Sequence, residues 1–189
     1  IYEPGLDEVV ARNVHDGRLV FSSDIQEGIR RSDLVFIAVG TPSDDSGAAD
    51  LSQVKSAAAE ISRTIDRYKV IINKSTVPVG STKLVEQIIT ENMPYFHEFD
   101  VVSNPEFLRE GSAIEDFLHP DRIIIGTKSQ RAIGLMTELY KPLNVPLVIT
   151  DPASAEMIKY ASNAFLATKV SFINAIANVC EAIGADVKE

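Results

Sequence analysis

"KVIINKSTVPVGST", Lys69 to Thr82, decides the fold. Its first half is an unbroken β-branched run that ends on Asn73 and Lys74. Its second half is a polar turn with Ser75 and Thr76, and Gly80 stands just ahead of a helical pattern. A half-exposed strand alternates apolar and polar residues. A continuous run instead fits a strand covered on both faces, as in a parallel sheet flanked by helices.

Similar runs recur at "LVFS" (19–22), "DLVFIAVG" (33–40), "FDVVSN" (99–104), "RIIIG" (122–126) and "PLVIT" (146–150). Helical stretches separate most of them. These are 24–31, with Ser23 as the expected cap, 51–66 after Asp50, 80–91 and 130–140. Alternating strands and helices with short connections predict an α/β, doubly wound architecture. "SAEMIKYASNAFLATKVSFINAIANVCEAI", Ser154 to Ile183, then runs about thirty residues without Pro or Gly, and Gly184 is the expected stop. Such a helix is long for a globular domain, and suits either a spine between domains or a dimer interface. The expected organisation is a partial Rossmann-like domain over residues 1–150, with an incomplete parallel sheet, followed by the start of a long central helix over 151–189.

The chain has 189 residues, 45% of them hydrophobic, and a formal net charge of −9. That charge argues against nucleic acid or an anionic membrane as the main partner. It does not argue against a small anionic ligand, because local backbone amides outweigh net charge at close range. The single cysteine, Cys180, rules out an internal disulfide and fits a reducing cytoplasm. No apolar run is expected to reach the roughly 18 residues of a membrane span. The opening "IYEPGLDEVV" has no initiator Met, and the chain is expected to be a piece of a longer protein.

In open parallel sheets, ligands bind beyond the carboxyl ends of the strands. Three strands here end in polar loops: "TPSDDSGAAD" after Gly40, "TVPVGST" after Ser75 and "PEFLREG" after Asn104. One such loop alone reads as a surface connection. Three at the same sheet end read as a cleft. Further on, "KYASN" sets Lys159 and Asn163 four residues apart, on one face of the long helix. They are either a solvated lysine beside a chance amide, or a pair that binds a developing oxyanion.

Taken together, these stretches resemble the UDP-glucose dehydrogenase family, within the wider UDP-glucose/GDP-mannose group of nucleotide-sugar dehydrogenases. The resemblance rests on "YEPGL" (2–6), "DLVFIAVGTPS" (33–43), "ADL" (49–51), "STVPVGST" (75–82), "SNPEFLREGSAIEDFLHPDRIIIG" (103–126) and "EMIKYASNAFLATKVSFINAIANVCEAIGADV" (156–187). It implies an NAD-binding domain followed by a long central helix. It also implies oxidation of the sugar C6 alcohol of UDP-glucose to a carboxylate, in two steps with two NAD⁺, through an enzyme-bound thioester. No metal is expected.

Residue by residue, the resemblance assigns Val39, Gly40, Thr41, Pro42, Ser43, Ser75, Thr76 and Val77 to the NAD site. Thr76 also holds a catalytic water. Glu106, Phe107, Leu108, Arg109 and Glu110 border the sugar. Glu106 aids proton transfer and thioester hydrolysis, and Glu110 lies near the nicotinamide and the water. Lys159 and Asn163 stabilise the oxyanion at C6. For Arg109 a simple pairing with a neighbouring acid is as good a reading. A homodimer through the central helix is the implied assembly.

Two motifs of the family do not occur in these residues: a Gly-x-Gly-x-x-Gly phosphate loop and a "GGSCF" cysteine. Cys180 sits in "IANVCEAIG" and reads as an inert core thiol, not a nucleophile. These residues alone are therefore expected not to complete the oxidation. Two other readings stay open: a sister enzyme acting on GDP-mannose or a UDP-N-acetylamino sugar, and a non-catalytic Rossmann-like binding or dimerisation module.

Overall fold

The computed structural model of the chain describes residues 3–189, so Tyr2 of the "YEPGL" stretch lies outside the described residues. Five strands form one sheet in the order β1-β2-β3-β4-β5: Leu34–Ile37, Lys69–Asn73, Phe99–Ser103, Ile123–Gly126 and Leu147–Thr150. Pairing is parallel from β1 to β3 and between β4 and β5. The sheet is not wholly parallel, because β4 meets β3 antiparallel, through Ser103 and Gly126. A buried apolar run does not encode its direction, and the short α5 (Ala113–Leu118) brings the chain back the other way.

Helices cover both faces. Strand β2 is buried at every position and feeds both. Ile71 packs with Val54, Ala58 and Ile61 of α3 (Ser52–Thr64) and Val85 and Ile89 of α4 (Ser81–Asn92). Val70 and Ile72 point the opposite way, toward Ala132, Met136 and Tyr140 of α6 (Gln130–Tyr140). The period-two alternation of a strand thus serves two cores at once.

Two N-terminal helices precede the sheet, α1 (Leu6–His15) and α2 (Ile25–Arg31). The cap of α2 is Asp24, whose carboxylate accepts from the Glu27 amide, and not Ser23. In α3, Asp50 does accept from the Ser52 amide, though the helix begins one residue later than predicted. Residues 19–22 are not a strand. Val20 and Phe21 are exposed, and among the described residues no neighbouring strand takes up their backbone bonds. Among the described residues β1 and β5 stand at the two edges of the sheet.

The final helix, α7, runs from Pro152 to Ile183. Asp151 caps it by accepting from Ser154, Pro152 opens it, and Gly184 closes it in the left-handed region at φ 73°. Its first turn lies directly on β4. A Cβ added to Gly126 would stand 2.4 Å from that of Ala155, so only glycine admits this approach. An 18-residue window of α7 reaches mean hydropathy 1.2, enough by length and composition for a membrane span. This corrects the expectation of no such run: alanines dilute the apolar character but leave few charges. Cys180 is half-buried on this helix and not in the core.

Candidate active site

The carboxyl ends of β1, β2 and β3 lie side by side, as the parallel register requires. Their three loops are laced together. The Ser75 hydroxyl donates to the Val39 carbonyl at 2.7 Å, and the Thr41 hydroxyl donates to the Thr76 carbonyl at 2.7 Å. The Asn104 amide continues the ladder to Asn73 at 2.9 Å. Beyond β1 the chain folds back through a bridge between Ser43 and Ala49. Ala38, Gly40, Pro42 and Ser43 are exposed, and small residues here leave the backbone open. A Cβ on Gly40 would meet nothing nearer than the Gln53 side chain at 3.9 Å. This open, hydroxyl-edged floor fits a dinucleotide lying against it. Val77 is different: its side chain is buried in the core at 5% exposure, so only its backbone can reach such a ligand.

Next to this floor lies a cleft of about 550 Å³, within the usual range for small-molecule sites. Glu106, Phe107, Leu108 and Arg109 line it, together with Lys74, Asn104, Arg122 and Tyr140. Glu106 is held at both oxygens. The Leu108 amide donates to one at 2.6 Å, and the Lys159 ammonium donates to the other at 3.0 Å. The Lys159 side chain is 8% exposed and its ammonium lies 5.3 Å from the centre of the Phe107 ring. An ammonium brought from 53 residues away thus faces a carboxylate where water is scarce. Charge in such a place acts more strongly than in bulk water.

Four residues escaped the sequence reading. Lys74, at the end of β2, directs its ammonium toward the Asn104 carboxamide oxygen at 3.4 Å. Its pKa is lowered, chiefly by burial and further by Lys159, against an opposing pull from Glu106. Asn104 also accepts from the Tyr140 hydroxyl and donates to the Ile124 carbonyl, tying β3 to β4 and α6. Burial pushes the Tyr140 phenol up to about 12, so it stays protonated as a donor. The fourth, Glu156 of α7, is 3% exposed and accepts from Gly80 and Thr82 at the start of α4. The signal for Lys74 was available, since it directly follows the buried run 70–73 at the carboxyl end of β2. No local pattern announces Glu156.

The structure does not gather every predicted residue at the cleft. Glu110 and Asn163 are exposed and do not line it, although Ser162 does. Thr76 does not line it either, and Lys159 stands behind it, reaching it through Glu106. Arg109 pairs with Asp116 through its guanidinium at 2.6 and 3.0 Å, the simpler of its two readings. That bidentate contact holds the Asp116 carboxyl down at about 2. The Glu3 carboxylate accepts from the Gly111 and Ala113 amides, anchoring the far end of the "PEFLREG" loop.

In chemical terms the cleft offers a carboxylate able to accept a proton and two ammonium groups able to stabilise an oxyanion. It adjoins an open backbone floor suited to a nucleotide. Among the described residues no cluster of metal-ligating side chains occurs.

Comparison with known proteins adds to this geometry. Residues 1–144 match the NAD binding domain of the UDP-glucose/GDP-mannose dehydrogenase family, and residues 153–189 match that family's central domain. The UDP-glucose 6-dehydrogenase TuaD of Bacillus subtilis (strain 168) is 56% identical over 189 residues, covering 100% of this chain and 41% of its own length. A UDP-glucose dehydrogenase structure from the hyperthermophilic archaeon Pyrobaculum islandicum superposes with TM-score 0.95 at 44% identity, over 99% of this chain and 44% of that one. A ternary complex of GDP-mannose dehydrogenase from Pseudomonas aeruginosa gives TM-score 0.95 at 35% identity, over 100% and 44%. The chain therefore spans less than half the length of each of these relatives.

Proposed function

The chain belongs to the UDP-glucose/GDP-mannose dehydrogenase family, and from that premise we propose that the whole protein oxidises UDP-glucose to UDP-glucuronate with NAD⁺. The observation that carries the reading is the ion pair between Lys159 and Glu106, 3.0 Å apart at the wall of the cleft. The 56% identity to TuaD, named as a UDP-glucose 6-dehydrogenase, favours that substrate over GDP-mannose, the substrate named for the relative at 35%.

Oxidation of the C6 alcohol needs the hydroxyl proton removed as the C6 hydrogen leaves with its electron pair. Bound NAD⁺ supplies the hydride acceptor, held by the 39–43 loop and by Ser75, Thr76 and the Val77 backbone. Glu106 accepts the proton, directly or through a water. Lys159 stabilises the negative charge growing on oxygen, because its ammonium is already in place and needs no reorganisation. Lys74 adds a second positive charge on the same side. In the second half of the reaction the aldehyde would add a thiol from outside these residues and lose a second hydride to NAD⁺. Glu106 would activate the water that hydrolyses the resulting thioester and frees the thiol, with Thr76 holding that water. Asn163, one turn beyond Lys159, and Glu110 are both exposed and are assigned no step here.

The thiolate for that thioester is not assigned to Cys180. At about 1.5 Å per residue it lies roughly 30 Å along α7 from Lys159. Residues 1–150 serve as part of the NAD-binding domain, and 151–189 begin the linking helix. The exposed apolar flank of α7 supports a homodimer through that helix. The net charge of −9 supports a small-molecule partner over nucleic acid.

The test is an assay of the whole protein with NAD⁺ and, in turn, UDP-glucose, GDP-mannose and UDP-N-acetylmannosamine. The expected result is two NADH formed per UDP-glucose, with kcat/KM at least about 100-fold above the other sugars. No NADH from any of them contradicts the reading, and preference for another sugar replaces the substrate. Residues 1–189 alone are expected to give no sustained NADH.

A further inference from the structure

We propose that Glu156 is a positioning residue that latches the loop carrying Thr76 to the helix carrying Lys159. The inference rests on the functional reading above, since it gives the latch a task in that reaction. Glu156 lies one turn ahead of Lys159 on α7 and is 3% exposed. Its carboxylate is fully engaged. One oxygen accepts from the Gly80 amide at 2.6 Å. The other accepts from the Thr82 amide at 2.7 Å and the Thr82 hydroxyl at 2.6 Å.

All three donors sit at the first turn of α4, whose amides have no partner within their own helix. Helices usually meet that need locally, with Ser, Thr, Asp or Asn at the cap. Here the cap position is Gly80, at φ 98°, with no side chain to offer and a conformation that strains other residues. The acceptor comes instead from 74 to 76 residues away. A local cap would have served the stability of α4 equally well. A remote cap also fixes where α4 and its leading loop stand relative to α7.

That loop is held at its other end too. Ser75 donates to Val39, and the Thr76 carbonyl accepts from Thr41. Residues 75–80 are thus strung between the floor of the nucleotide site and the helix that brings Lys159 to Glu106. Glu156 touches none of the reacting groups. It acts by keeping Thr76 in register with Lys159, where an ångström of slack costs rate.

The test is a double-mutant cycle in the whole protein with UDP-glucose and NAD⁺, using Glu156→Gln, Thr76→Ala and the pair, alongside amide hydrogen exchange without NAD⁺. Gln is isosteric but cannot accept from all three donors. We expect Glu156→Gln to lower kcat about tenfold or more while the KM for UDP-glucose moves within about twofold. In the Thr76→Ala background the same change should lower kcat less than about twofold, because its effect runs through Thr76. Exchange at the amides of residues 80 and 82 should quicken. A folded Glu156→Gln protein with unchanged kcat, or equal factors in both backgrounds, overturns the proposal. If Glu156→Gln does not fold, Thr82→Val carries the same cycle: a kcat loss that vanishes with Thr76→Ala supports the latch, and no loss or equal losses overturn it. An unmodified protein that turns over no nucleotide sugar counts against the functional reading instead. The latch then stands or falls on exchange at residues 80 and 82.

Discussion

Over its first turns α7 buries a carboxylate and an ammonium, Glu156 and Lys159; further along it exposes Phe165 at 66% and Phe172 at 64%. Burial and polarity are inverted between two parts of one helix. The first part can bury charge because each charge is met: Glu156 by the start of α4, Lys159 by Glu106. The later part leaves apolar side chains uncovered, from Leu166 to Ile183, which in water calls for a second surface. The proposed reading gives this one helix chemistry at one end and assembly along the rest, and amino-acid type alone does not say which part does which.

The largest expected effect lies at the buried end. Lys159→Met should lower kcat of the whole protein by about 100- to 1,000-fold, the usual cost of removing a preorganised oxyanion partner. Its sedimentation should not change. Steady-state kinetics and analytical ultracentrifugation on the same sample check both. A change in mass with kcat intact would reverse the assignment of the two parts.

Next comes the exposed part. Phe165→Asp with Phe172→Asp should weaken self-association by roughly 100-fold, from the loss of about 3 kcal/mol of apolar burial. A concentration series in the ultracentrifuge reads this directly. Unchanged association would show that another surface forms the dimer.

Gly126 sharpens the comparison from the sheet side, because α7 meets β4 there. Gly126→Ala would place a methyl 2.4 Å from that of Ala155. The expected cost is about 1–3 kcal/mol of unfolding free energy, read by urea denaturation. No loss would mean that α7 can lift off the sheet, and the buried end would not be the rigid one.

The smallest effect is at the rim. Asp116 is held at about 2 by Arg109, below its ordinary carboxylate value. A depressed carboxyl contributes stability that is complete above the unfolded pKa, about 3.9, and is lost as pH falls through about 2. Carboxyl carbon shifts across that range should show it, and Arg109→Gln should return the midpoint toward about 3.9. A midpoint near 3.9 in the unmodified protein would break the pairing and free Arg109 for substrate.

Much of this was legible without coordinates, in a pattern that physics explains. Strands β1 to β5 were visible because continuous apolar runs have few other homes, and α6 fell on its predicted bounds. The run at 19–22 was misread because a strand is a property of a pair. The antiparallel turn into β4 was hidden because an apolar run reads the same in both directions. Short α5 went unread because six residues among Gly, Pro and acids carry too little periodicity. At the site, Glu106 and Lys159 were named through the family resemblance. Lys74, Asn104, Tyr140 and Glu156 were not, since each acts through contacts distant in sequence.

The most direct measurement is a crystal structure of the whole protein with NAD⁺ and UDP-glucose. The account predicts the sugar C6 oxygen within about 2.6–3.2 Å of both the Lys159 ammonium and the Glu106 carboxylate, or one water away from the latter. A sugar bound elsewhere, with the Lys159–Glu106 pair intact and remote from C6, would contradict it.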